Sequence, residues 1–265
     1  MINLDISPIL LSLGPFQIRY YGLVYVLGFL LALFILFKAK KKGRIDLDKD
    51  QIYNLIFYII LGVIIGARAF HIIFWNLSYY ISNPIEMLYI WQGGLSFHGG
   101  VIGSLIATHL FTRKNKISLM RLADILVIPA IFVLALGRVA NFINQEILGT
   151  ISQVPWCVKF LNSIDPYNCR HPVQLYAAAG RLTAFFILLR FPKPKKDGFI
   201  FWNFVFLLGL GRVFLDFIRE DIRYLGLSMG QYLSILMVII GGYVIFKYYK
   251  EDLRSLFKFS KKTSS

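Results

Sequence analysis

The chain has 265 residues, 57% hydrophobic and 16% charged, a balance too apolar for the surface of an ordinary soluble domain. Its net charge of +15 would suit a nucleic-acid partner in a soluble protein, but here the Lys and Arg stand in short clusters between long apolar runs. That arrangement is the one found in the cytoplasmic loops of membrane proteins, and it argues against nucleic acid as a partner.

No basic stretch precedes a short apolar core at the start, so no cleavable signal peptide is expected. Seven runs are long enough to cross about 30 Å of hydrocarbon as helices. They cover 20–37, 52–74, 94–111, 122–138, 173–189, 198–217 and 228–248. Loops alternate between two sides of such a chain, and the count of Lys and Arg is 20 on one side and 5 on the other. The richer side holds 38–50, 112–121, 190–197 and the tail, which places it in the cytoplasm. The expectation is therefore a single all-α polytopic membrane domain over 1–265. Its N-terminus lies outside, its C-terminus is cytoplasmic, and a small external cap covers about 149–172.

With that orientation Tyr21, His98, Gln174, Tyr176 and Gln231 stand near the outer ends of their spans, and so do Arg68, Arg138 and Arg212. At about 1.5 Å of rise per residue, the arginines reach the depth of the outer leaflet's phosphate and glycerol groups. Arg181 is the fourth arginine inside a span. A charge at such a position is costly unless paired or solvated. Snorkelling to the interface is one solution for any single arginine, but several arginines at one level share only Asp216 and Glu146 as nearby acids. Asp216, one turn after Arg212, can pair with it, and an excess of positive charge remains. A lipid phosphate supplies the missing anion, and guanidinium grips phosphate with two parallel hydrogen bonds. Arg138 and Arg212 are the expected clamp.

Two segments concentrate the remaining polar chemistry. In Gly93-Gly94-Leu95-Ser96-Phe97-His98-Gly99-Gly100-Val101-Ile102-Gly103, five glycines surround one histidine at a helix entrance. Glycine lets backbone approach a ligand, and a helix start presents free N–H groups to an anion. His98 has a side chain suited to phosphate binding or proton transfer, with Gly99 and Gly100 beside it. A Gly-rich turn serving close helix packing accounts for the same residues. His71 and His109 lack such surroundings and read as structural. In 137–149 an apolar span ends in Arg138, Asn141, Asn144, Glu146 and Gly149. The amides suit glycerol hydroxyls or the orientation of the arginine, and simple polar capping of a helix end would look alike. Cys157 and Cys169 share one polar segment without metal-ligand spacing; a disulfide and two free thiols both stand open. No HExxH or comparable metal set is present.

Together these segments resemble the signature stretches of the prolipoprotein diacylglyceryl transferase family, through nearly the whole chain. Arg19-Tyr20-Tyr21-Gly22-Leu23, Gly66-Ala67-Arg68, Arg170-His171-Pro172-Val173-Gln174-Leu175-Tyr176 and Ser228-Met229-Gly230-Gln231 follow in order. The resemblance implies a plasma (inner) membrane enzyme that transfers diacylglyceryl from phosphatidylglycerol to the lipobox cysteine of a prolipoprotein signal peptide, with membrane lipids around it and no cofactor or metal. It implies phosphate binding by Arg138 and Arg212, functional roles for Tyr21, Asn141, Glu146 and Gly149, and a role for His98 as base or phosphate donor. Because the acceptor thiol belongs to the substrate, Cys157 and Cys169 need no catalytic part. Asp216 stands where the family usually has Glu, Ala177 where Glu is common, and Ala140 and Gln145 where glycines are usual. Arg181, one turn after Ala177, offers a linked change.

An anion transporter or channel is the competing class. It calls for polar residues through the full membrane depth, whereas the inner halves of these spans are apolar apart from His109. A packing scaffold leaves the arginine cluster without a purpose.

Overall fold

The computed structural model describes residues 2–13 and 16–262, so both ends of the expected 1–265 domain lie outside the described residues. All seven expected runs fall on helices: α1 Tyr20–Lys41, α2 Lys49–Trp75, α4 Phe97–Asn115, α5 Leu119–Ile143, α6 Val173–Leu189, α7 Phe199–Leu215 and α8 Met229–Tyr248. Two helices fall outside those runs, the short α3 Leu77–Ser82 and the terminal α9 Lys250–Lys262. Among the described residues, five helices are long and apolar enough to cross a membrane: α1, α2, α5, α7 with its terminal 3-10 turn, and α8. α6 is apolar but spans only about 25 Å at helical rise, and the Gly, Ser, Thr and His of α4 dilute its apolar character. The protein is a multi-pass, mostly helical membrane protein.

Helix boundaries follow from local chemistry. α2 starts earlier than its apolar run because Asp48 and Gln51 form a reciprocal capping box. Ser228 and Gln231 do the same for α8. α7 has no cap of its own; Asp124, on α5, accepts from the backbone N–H of Gly198 at 2.7 Å and of Phe201 at 2.8 Å. A carboxylate at a helix start also meets the positive end of the helix dipole.

Packing divides the chain into two compact units. The first comprises residues up to Ala32 and from Ala123 onward. In it α7 packs on α6 and α8, and strand β1 (Ile2–Leu4) pairs in parallel with β4 (Val158–Phe160). Leu4, Leu148, Val158 and Phe160 close a small core under that pairing. β2 (Ile9–Leu13) and β3 (Phe16–Arg19) form a hairpin, and β5 (Arg223–Tyr224) with β6 (Leu227–Ser228) forms another. Cys157 and Cys169 form a disulfide, which decides between the two states left open by the sequence. α9 folds back on α7 and α8, with Leu253 and Leu256 against Phe199, Ile245 and Tyr249.

The second unit, Leu33–Leu122, is built on the pairing of α2 with α4. Their backbones nearly touch: a Cβ added at Gly103 would stand 2.0 Å from the Gly62 carbonyl oxygen, and one at Gly99 would stand 2.2 Å from that of Gly66. Backbone on both sides cannot yield, so these positions exclude any side chain.

Candidate active site

In the first unit a cavity of about 60 Å³ opens among α5, α6 and α7, with room for a phosphate-sized group. Arg138 from α5, Arg181 from α6, and Arg212 and Arg219 from α7 and just beyond line it, together with Asp216 and apolar side chains such as Ile131 and Leu208. Four guanidinium groups thus face one carboxylate. Asp216 is only 3% exposed. It pairs with Arg212 Nε at 3.4 Å, lies 4.0 Å from Arg219 Nη1, and accepts from Ser228 Oγ at 3.1 Å.

The Arg212–Asp216 pair expected from the sequence is therefore present, and the start of α8 holds it. Gln231 Nε2 donates to the Val213 carbonyl at 3.1 Å, tying α8's first turn to α7's last. A Cβ at Gly230 would stand 2.4 Å from Arg212 Nη2 and 2.5 Å from Asp216 Oδ2. Glycine at 230 thus leaves space for the ion pair beneath the helix entrance. Sequence reasoning assigned Gly230 no role; its place between the capping residues Ser228 and Gln231 was the available signal.

Where α5 ends, Tyr21, Asn141 and Glu146 meet. Tyr21 Oη donates to Glu146 Oε1 at 2.8 Å, Asn141 Nδ2 donates to the same oxygen at 2.7 Å, and Asn141 Nδ2 also contacts Tyr21 Oη. On its other side Asn141 Oδ1 accepts from Arg138 Nη1 at 3.4 Å. The amide thus links the arginine to the tyrosine–carboxylate pair and orients it. The turn after α5 puts Gln145 and Ile147 at φ 56° and 60°, a region where a side chain normally costs about 1 kcal/mol or more. Buried Gln145 accepts from the Asn162 N–H at 2.8 Å, a contact that glycine could not make. Gln174, buried on α6, donates to the Glu146 carbonyl at 2.8 Å and holds the far end of the turn.

Gly149 is placed by packing. A Cβ there would stand 2.3 Å from the His171 carbonyl oxygen, and its own carbonyl accepts from Arg170 Nη1 at 2.8 Å. Buried Arg170 also binds Asp165 and Glu220, fastening 149–172 to the chain beyond α7. Hydrogen bonds from Arg170 and then Asn168 hold the Asp165 carboxyl below the usual carboxylate range.

The second unit carries His98, Gly99 and Gly100. Ser96 caps α4 by accepting from the Gly99 N–H at 3.4 Å. The exposed His98 ring lies near Phe97 and Phe70, with centroids 5.8 and 6.4 Å away. Close helix packing accounts for the bare backbone at Gly99, while at Gly100 a Cβ would make only ordinary contact with Val63. Arg68 finds the partners that an intramembrane arginine needs within the protein. It is buried, donates to the carbonyls of Glu86, Met87, Gly93 and Gly94 at 2.6 to 3.2 Å, and lies 4.9 Å over the Tyr80 ring. Backbone acceptors meet its demand.

Arg181 and Arg219 line the arginine pocket although the sequence reading gave neither a role. A lone arginine in an apolar run resembles a snorkelling residue, and Arg219 stood just past the end of a run. No group of three or more His, Cys, Asp or Glu side chains suited to a metal occurs among the described residues.

A family model described as prolipoprotein diacylglyceryl transferase matches residues 8–247. Three proteins named phosphatidylglycerol–prolipoprotein diacylglyceryl transferase are similar along most of their length. The one from Geobacter sulfurreducens is 40% identical over 89% of this chain and 93% of its own. Those from Aliivibrio salmonicida and Vibrio cholerae are 38% and 37% identical over 94% of this chain, covering 89% and 94% of theirs.

Proposed function

We propose, for a chain that belongs to the prolipoprotein diacylglyceryl transferase family, that it transfers the diacylglyceryl group of phosphatidylglycerol to the lipobox cysteine thiol of a prolipoprotein. The thiol gives its proton to a base and attacks the glycerol carbon that bears the phosphate. A thioether forms, the carbon–oxygen bond breaks, and its electron pair leaves with glycerol phosphate. No covalent enzyme intermediate is required. The protein's task is to hold the phosphate, stabilise it as it departs and generate thiolate.

The observation that carries this reading is the pocket lined by Arg138, Arg181, Arg212 and Arg219, with Asp216 as the one carboxylate in its lining. An apolar helical setting with so many donors and one acid is matched to an anionic head group. Arg138 and Arg212 grip the phosphate, while Asn141, oriented by Tyr21 and Glu146, serves the glycerol hydroxyls. On the family resemblance His98 is the base or phosphate donor, while Gly99 and Gly100, which face α2, hold α4 against it. The charge bias of the loops supports seven spans with the N-terminus outside, the pocket toward the outer leaflet and 149–172 as an external cap on an inner-membrane enzyme.

Purified protein given labelled phosphatidylglycerol and a synthetic lipobox peptide should place diacylglyceryl on the peptide. Label should be absent with a cysteine-to-serine peptide and with Arg138→Ala. A well-folded wild-type protein that transfers nothing would overturn the reading and favour an anion pathway.

A further inference from the structure

Arg181 stands in an unusual state for a cation on an apolar helix. It lines the same cavity as Arg138 and Arg212. Its Nη1 donates to the Ala177 carbonyl one turn earlier, at 3.0 Å. Its Nε is buried without any hydrogen-bond partner. Among the described residues, no carboxylate comes within ion-pair distance of it, and the pocket's only acid is already engaged by Arg212 and Ser228. A buried donor left open in this way loses free energy until an acceptor arrives.

The reaction proposed above supplies one at a particular moment. Bound phosphatidylglycerol is a phosphodiester and brings one negative charge, which Arg138 and Arg212 suffice to meet. As the sulfur–carbon bond forms and the carbon–oxygen bond breaks, the electron pair stays on the departing oxygen. Glycerol phosphate leaves as a phosphomonoester, so a second negative charge develops on the phosphate during the step. A cation with no counter-ion in the lipid-bound state, positioned beside that phosphate, interacts more strongly with the transition state than with the substrate. Interactions of that kind accelerate chemistry.

From the open donor and the charge change we infer that Arg181 is a third phosphate donor, specific for the dianion that forms during transfer rather than for the phosphodiester that binds. This rests on the proposed reaction. Arg181 is thus assigned to kcat and to product release, while Arg138 and Arg212 hold the lipid.

The test compares wild type, Arg181→Gln and Arg181→Lys as full-length protein in detergent. Binding of glycerol phosphate and of its methyl phosphodiester is measured by calorimetry, and transfer is measured in parallel. Above pH 7, Arg181→Gln should weaken binding of the dianionic monoester about tenfold or more, the usual scale for losing a charged hydrogen bond. Binding of the methyl diester and the KM for phosphatidylglycerol should change by less than about twofold, and kcat should fall tenfold to a hundredfold. Wild-type preference for the monoester should fade as pH drops through about 6, where a phosphomonoester gains its second proton; in Arg181→Gln it should be flat. Arg181→Lys should recover part of the preference. Equal weakening of both ligands, or a raised KM at unchanged kcat, would make Arg181 a general phosphate ligand and overturn the inference. A lowered melting temperature with the monoester preference intact would make it structural and overturn it too. Absence of transfer by wild type would instead strike at the reaction itself, so the two failures are separable.

Discussion

Arg68 and Arg138 both sit in long apolar helices, where a guanidinium group is a liability. Their surroundings resolve that liability in opposite ways. Around Arg68 the 3-10 turns at 84–92 and the glycines that follow bring four backbone carbonyls to one side chain, and Tyr80 covers its face. Around Arg138 the protein offers one side-chain amide at 3.4 Å and lines the same cavity with three further arginines and apolar side chains. An intramembrane arginine is thus no sign of function by itself. What distinguishes the pocket is the surplus of donors over acceptors, which suits it to an anion.

The difference can be broken by substitutions that keep charge and remove the planar fork. Arg138→Lys should lower kcat/KM for transfer about 10²-fold or more, the scale for loss of one oriented donor to a developing anion, because a point charge cannot reproduce a bidentate grip. Its melting temperature should stay close to wild type, since the protein itself satisfies little of the native side chain. Transfer near the wild-type rate would reduce Arg138 to a source of general positive potential.

Arg68→Lys should give the reverse pattern. Lysine cannot reach four carbonyls, and the turn at 86–94 would lose its tie to α2, at a cost on the order of 2 kcal/mol. Thermal melting in detergent should show a clear drop, while transfer per folded molecule stays within about threefold of wild type. A variant as stable as wild type but inactive would move Arg68 into the chemistry and dissolve the contrast.

How much of this was legible beforehand differs between the two regions as well. Long apolar runs announced the helices, and Arg212 with Asp216 four residues on announced an ion pair. The arginine surplus could be counted from charges alone. Satisfaction of Arg68 was hidden, because its acceptors are backbone carbonyls 18 to 26 residues downstream, and carbonyls carry no sequence signature. Pairing of Ile2–Leu4 with Val158–Phe160 was equally invisible: three residues show no periodicity, and the partners are far apart in the chain. The Tyr21–Glu146 contact spans 125 residues; the sequence put both near the outer level but carried no sign that they pair. Arg219 was counted as a loop residue because the apolar run ends just before it. Hydrogen bonds from Thr150 N–H to the Ile218 carbonyl and from Glu220 N–H to that of Leu148 hold its segment back against the fold.

Arg170 sharpens the comparison from a third direction, as an arginine in the pocket's own unit that is satisfied as completely as Arg68. Its partners are Asp165, Glu220 and the Gly149 carbonyl, so its effect should fall on stability. Asp165 makes this readable by pH. Arg170 holds its folded-state pKa below the ordinary value, so its contribution is complete above the unfolded value near 4 and is lost as pH falls through the depressed one. Asp165→Asn should therefore melt below wild type at pH 7, and the gap should narrow steadily below about pH 4, where wild type also loses the charge. Transfer at neutral pH should be nearly unchanged. A gap that persists undiminished into acid would mean that Asp165 acts through neutral hydrogen bonding, such as its bond with Asn168, and that Arg170 is held mainly by Glu220 and the Gly149 carbonyl.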